Sequence, residues 1–445
     1  SDQQCGRVLG NAEKSWCRAV ISGTGITILG LRLSKQLAEK SRLTEILDAL
    51  KRTHPLLGCK LAYDRSGKTF KFVKPEESPP PTEVSFRSIA KRADGGVPTL
   101  QEMVEQEMSE NEIWSDPNAY PADGADVLLA SVYAISGSES VVILRFHTSV
   151  CDRTTAVSLL RELLERVSAG GLKMTVKNGG EGEWALENLI PNGLTKKRIW
   201  AHGKAMLGYS LGSLRMTNLE FVNCKKMPRK SEIIRLQLNQ QITSHILAGC
   251  KAREIKLCGA ISAAAILAAH PNKAASRNYG VVTLTDCRSL LQPPLSPQHY
   301  GFYHLAILNI HPIKGTETLW DLATSCYTDF SKFKQNNKQF TDMTDLQFLM
   351  TKALENPVLT PQSALRSSLV TVFEDPVIDN SGDMRRDVGV GDYIGCSSVH
   401  GIGPSIGIFD TVRDGELDCI IVYPSPLHSR QQMEEIVAKM AAILV

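Results

Sequence analysis

Apolar and polar positions alternate along this chain with two periods. From Thr44 to His54, Ile46, Leu47 and Leu50 recur at helical spacing, and Pro55 stops the run. Leu56–Tyr63 and Thr69–Val73 read as strands around an Asp64–Gly67 turn, and a proline-rich loop follows from Glu76 to Pro81. Leu100–Met108 reads as a helix. Val127–Ile135 and Ser140–His147 are β-rich runs joined at Gly137, which predicts a hairpin. Thr154–Val167 carries Leu159, Leu160, Leu163, Leu164 and Val167 on one side, as an amphipathic helix does.

The second half opens on a strand, Ser231–Leu238, followed by a helix that Thr243 is placed to cap. Cys258–Ala269 is rich in alanine and apolar all round, which predicts a fully buried helix. Strands are expected at Tyr279–Thr285, Phe302–Ile310, Leu369–Phe373, Tyr393–Val399, Ser405–Asp410 and Leu417–Tyr423, and helices at Leu319–Phe333, Asp345–Leu354 and Gln431–Leu444, the last capped by Ser429. Between the halves, Gly179, Gly180 and Gly182 interrupt a stretch without apolar period. This places an N-terminal lobe at 1–170, a crossover linker at 171–194 and a C-terminal lobe at 195–445.

Composition narrows the class. A chain of 445 residues, 42% hydrophobic and 22% charged, has enough apolar surface for two cores. A net charge of +3 gives no reason to expect nucleic acid or an anionic membrane as partner. Eleven cysteines without a CxxC pair argue against a disulfide framework and a structural zinc, so no metal and a reducing compartment are expected. No signal-like segment opens the chain and no apolar run is long enough to span a bilayer. The expectation is a soluble cytoplasmic protein.

Several segments, in order, resemble one superfamily. They are Arg52-Thr53-His54-Pro55-Leu56-Leu57, the strand end Leu144 to Arg153 containing His147-Thr148-Ser149-Val150-Cys151-Asp152, the paired helical stretch Ile242–Ala269, the segment Thr285-Asp286-Cys287-Arg288 with Pro293-Pro294-Leu295 and Tyr300-Gly301, and Ser397-Ser398-Val399-His400-Gly401. Together they are similar to the HPxL, HHxxxDG and DxR…PPLP…YFG patterns of the superfamily that includes plant BAHD-type acyltransferases, chloramphenicol acetyltransferase and the condensation domains of peptide synthetases. The resemblance implies an α/β (α+β) fold of two chloramphenicol-acetyltransferase-like lobes, each a mixed sheet with helices, facing across a central tunnel. Acyl-CoA would enter as cosubstrate and a small-molecule acceptor would meet it. The plant branch's DFGWG stretch is absent.

The chemistry needs a base beside the acceptor's O–H or N–H and donors for the thioester oxyanion. The family carries its base four residues before the aspartate. Here that position is Thr148, with His147 one residue earlier and Arg153 where the pattern has glycine. Neighbours on a strand point to opposite faces, so His147 and Thr148 diverge unless a bulge swings His147 inward. Three readings follow: a displaced base at His147, a structural histidine, or lost transferase chemistry. The resemblance makes Asp152 and Arg288 a brace, and it places Tyr300, Ser397, Ser398, His400 and Gly401 at the substrate. His400 is an alternative base. Cys151, beside the motif, lacks a diagnostic nucleophile–base spacing.

The function expected from this set is acyl transfer from acyl-CoA to an alcohol or amine of a small, specialised metabolite, with no bound cofactor. The alternatives are CoA-independent condensation or cyclisation in the same tunnel, driven by proximity, and a non-catalytic ligand-binding role. Two complete lobes in one chain suggest a monomer.

Overall fold

The structure is a computed structural model that describes residues 7–34, 40–74, 80–89, 91–168, 185–224, 228–271, 275–355 and 366–445. The chain forms two compact units that do not follow sequence order. The first takes residues 1–189, 292–303 and 381–397; the second takes 190–291, 304–380 and 398–445. Two short segments of the C-terminal half are thus built into the first unit. Most of the expected linker, 171–184, lies outside the described residues, and its remainder contains the short helix Leu186–Leu189.

The first unit holds a five-stranded sheet in the order Val390–Val399, Thr24–Leu33, Ser140–His147, Leu128–Ala134, Val84–Arg87, with strand 390–399 belonging to this unit up to Ser397. The predicted hairpin is present: Leu128–Ala134 and Ser140–His147 pair antiparallel from Leu128↔Phe146 to Ala134↔Ser140. Strand 140–147 is buried along its whole length, which explains its apolar run Val141–Leu144 and Phe146. Helix Leu100–Ser109 starts where a capping box dictates, with Thr99 Oγ1 accepting from the Glu102 amide and the Glu102 carboxylate accepting from the Thr99 amide. Leu29, Leu31, Leu47, Leu50, Leu144 and Leu163 are among the core residues.

The second unit is built on a seven-stranded mixed sheet. Its main path runs His304–Ile313, Arg277–Asp286, Val370–Phe373, Ile406–Arg413, Glu416–Ser425, Lys230–Leu238, with Val377–Asp379 pairing onto Ile406–Arg413. The outer pairs are antiparallel, while Arg277–Asp286, Val370–Phe373 and Ile406–Arg413 run parallel. Helix Leu257–Ala269 is buried nearly throughout, as its composition predicts. Its small residues let it approach helix Leu319–Gln335: a Cβ on Gly259 would lie 2.7 Å from the Ala323 carbonyl oxygen. The architecture is therefore the expected α/β one, with a mixed sheet and helices in each unit.

Two sequence expectations are corrected, and one helix is new. Leu56 and Leu57 lie in the helical turn Pro55–Gly58, because proline at a first helical position favours the helix, and the strand starts only at Lys60. Helix Gln240–Ala252 is capped by Asn239, whose side chain accepts from the Ile242 amide at 2.9 Å. Thr243 is instead buried, donating to the Leu238 carbonyl and accepting from the Leu417 amide. Helix Ile199–Arg215 was not anticipated, because Gly203, Gly208 and Gly212 break its pattern.

Candidate functional site

Strand Ser140–His147 runs into a single 3-10 turn, Thr148–Val150, and Asp152 then precedes helix Arg153–Ser168. The pairing with strand Thr24–Leu33 is in register to its last pair, Ile26↔His147, with no bulge. The strand ends at His147 and Thr148 opens the turn, so the two side chains meet different environments.

His147 is fully buried. Its ring meets the edge of Trp114 at 5.5 Å, and its Nδ1 lies 2.6 Å from Ser149 Oγ and also accepts from the Ser149 amide. That acceptor role puts the ring proton on Nε2, which finds no hydrogen-bond partner among the described residues. Burial pushes the imidazole pKa down to about 3, so the ring is neutral in ordinary buffers.

Thr148 enters a line of hydroxyls. Its Oγ1 donates to the Gly25 carbonyl and lies 2.8 Å from Thr27 Oγ1, which in turn lies 2.7 Å from Ser397 Oγ. Each hydroxyl has one proton, so the first bond sets the direction of the rest. Ser397 donates to Thr27, Thr27 to Thr148, and Thr148 to Gly25. The line ties strands Thr24–Leu33 and Val390–Val399 to the turn after strand Ser140–His147, and in this arrangement its members offer lone pairs but no free proton.

Asp152 is a clamp. One carboxylate oxygen accepts from the Thr155 amide at 2.9 Å and so caps the helix; the other accepts from the Tyr303 amide at 2.9 Å. The Asp152 amide donates to the Gly301 carbonyl, and Thr155 Oγ1 both accepts from the Gly301 amide and donates to its carbonyl. Gly301 has φ +146°, and a Cβ there would sit 2.9 Å from the Tyr303 ring, so glycine is required. Tyr300, expected at the substrate, is buried in the first unit. It stacks on His54 at 3.6 Å, and its hydroxyl donates to Glu162 Oε2. Burial alone would raise the Glu162 pKa, but hydrogen bonds from His54 and Arg166 outweigh it and hold the carboxyl below its usual range. Cys151 is buried, its Sγ turned toward the Asp152 carbonyl.

The remaining expected residues belong to the second unit. Arg288 donates to the Asp286 carboxylate at 3.2 Å. Ser398 is buried. The loop that follows is wound on Arg366, whose guanidinium donates to the carbonyls of Val399, Gly401 and Pro404. Burial, then Arg229, lowers that guanidinium to about 9. His400 Nδ1 lies 2.9 Å from Ser231 Oγ, which also accepts from the Val399 amide. Burial first, then Arg366 and Arg229, push the His400 pKa down to about 4. A neutral His400 whose Nδ1–H donates to Ser231 presents a free lone pair at Nε2, the geometry a general base needs. Thr27, Ser231 and Arg366 were not singled out from sequence; they reach these sites across separations of 121, 169 and 35 residues with no motif to mark them.

The sheets, their helices and the strand–turn–helix at Asp152 define the fold of condensation domains and of acetyltransferases related to them in structure. The first condensation domain of the calcium-dependent antibiotic synthetase superposes with a TM-score of 0.68 at 14% identity, over 99% of this chain and 97% of that one. Trichothecene 15-O-acetyltransferase from Fusarium sporotrichioides superposes at 0.69 and 12% identity, over 98% and 94%. Polyketide synthase associated protein 5 from Mycobacterium tuberculosis superposes at 0.63 and 17% identity, over 99% of both chains. No family model matches the chain, and neither does any curated protein sequence.

Proposed function

We propose that this protein is an acyltransferase that moves an acyl group from acyl-CoA to an alcohol or amine of a small metabolite. The observation that carries the reading is the strand–turn–helix at His147–Asp152, built within a fold shared over nearly the whole chain with condensation and acetyltransferase structures. In this proposal Asp152 holds the Gly301–Tyr303 segment in place, and Thr148 and Ser397 are hydrogen-bond acceptors for the acceptor's O–H or N–H. In the second unit, His400, oriented by Ser231, is the candidate base. His147 is a positioning residue, since its ring is sealed against Trp114.

The test is thiol release from a panel of acyl-CoAs with pooled alcohols and amines. Acceptor-dependent release is expected, falling about a hundredfold in His400→Ala. Release that is unchanged in that variant overturns the assignment of the base.

A second reading has its own support. The family's base position is a threonine whose proton is already committed, and the adjacent histidine is enclosed. Both features favour condensation or cyclisation by proximity, without a CoA thioester. Turnover of a thioester-free substrate, with no thiol release from any acyl-CoA, would select it.

A further inference from the structure

Helix Ile199–Arg215 is amphipathic the wrong way round for a soluble surface. Its held face is polar: His202 Nδ1 lies 2.7 Å from Asp345, and Tyr209 donates to Asp342, both carboxylates being buried. Lys197, just before the helix, pairs with both aspartates at 2.7 and 2.8 Å. Its solvent face is apolar. Ile199 is 91% exposed, Trp200 65%, Leu207 61% and Leu211 42%. At about 100° per residue these side chains fall within one arc of roughly 120°, filled in by Gly203 and Ser210.

The charges that this segment carries beside the stripe have one sign. Lys204 and Arg215 border it along one edge, and Lys196 and Arg198 stand at its N-terminal end; all four are exposed. Their charged groups have no ion-pair partner among the described residues. No acidic residue occurs between Glu187 and Glu220. The small net charge of the whole chain hides this local asymmetry.

We infer that helix Ile199–Arg215 docks the protein onto an anionic phospholipid surface, the apolar stripe entering the headgroup–acyl boundary and the four cations meeting lipid phosphates and carboxylates. An exposed tryptophan among aliphatic side chains, ringed by lysine and arginine, is the composition such interfacial helices use. A second copy of this chain is the poorer occupant, because a two-fold contact through the same stripe sets like charges against each other. No helix among the described residues is long and apolar enough to cross a membrane, so the association is peripheral.

The test is co-sedimentation of the full chain with vesicles of phosphatidylcholine alone and of phosphatidylcholine with phosphatidylserine, with tryptophan emission recorded in parallel. Binding to the anionic vesicles is expected to be roughly tenfold tighter or more and to weaken with salt. A blue shift absent from Trp200→Phe locates the contact. Leu207→Glu with Trp200→Glu should abolish binding, and Lys204→Glu with Arg215→Glu should remove the preference for anionic lipid. All four positions lie on an exposed face or its edge, and circular dichroism verifies that each variant is folded. Failure of the wild type to bind anionic vesicles overturns the inference. So does equal binding to neutral vesicles, or a dimer in solution that these substitutions dissociate.

Discussion

Asp152 and Tyr303 are joined by a hydrogen bond of 2.9 Å from the Tyr303 amide to a carboxylate that also caps helix Arg153–Ser168. One side chain thus fixes the start of a helix and the position of a segment 151 residues away. Replacing it by alanine removes the acceptor of two buried amide hydrogen bonds. The expected cost is about 2–5 kcal/mol, with Asp152→Asn losing about half as much because one acceptor oxygen remains. Urea unfolding measures both; a loss below about 0.5 kcal/mol for alanine would discard the clamp.

His147→Ala separates structure from chemistry. A positioning role predicts a stability loss of about 2–4 kcal/mol from the cavity beside Trp114, with turnover per folded molecule nearly unchanged. The reverse result, intact stability and lost turnover, would restore His147 as the base.

The hydroxyl line makes a directional prediction. Thr148→Val keeps the shape but breaks the line in two, leaving the Gly25 carbonyl and the Thr27 hydroxyl short of a partner. Stability should drop by about 1–3 kcal/mol, and Thr148→Ser should recover most of it. Equal losses in the two variants would mean that methyl packing, not the hydroxyl, matters there.

Acid should unfold this protein through its histidines. Burial lowers His147 to about 3, and His400 and His428 to about 4, while His311 is lowered as well. Their unfolded values lie near 6.5, so below that pH the unfolded chain binds protons that the folded one refuses. The stability they allow is full above pH 6.5 and declines as pH falls toward 4, by about 1.4 kcal/mol per pH unit for each histidine. Urea midpoints between pH 7 and 5, compared in wild type and His428→Gln, read the slope; a flat profile contradicts it.

Glycines in two helices should respond oppositely to alanine. Gly259→Ala drives a Cβ to 2.7 Å from the Ala323 carbonyl and should cost about 1–3 kcal/mol. Gly203→Ala and Gly208→Ala meet nothing within 4 Å, so each should stabilise by about 0.5–1 kcal/mol. Thermal shifts of opposite sign are the expected readout.

The apolar patterns alone determined most of the elements, and the kind of fold came from the resemblance of the ordered motifs. The β-rich strand at 140–147, the alanine-rich helix at 257–269 and the Ser429 cap were legible because burial on both faces, tight helix contact and end-capping each leave a local mark. The ordered motifs marked the turn at Asp152 as a place of interest. What the side chains do there was decided only by the tertiary structure. Whether His147 is open or sealed depends on Trp114, and the direction of the Thr148 hydroxyl depends on Gly25. Tyr300 looked like a substrate contact until His54 and Glu162 closed around it. Local propensity and period act over a few residues, whereas a site is made by partners tens to hundreds of residues apart, and no period in the chain records which of them meet.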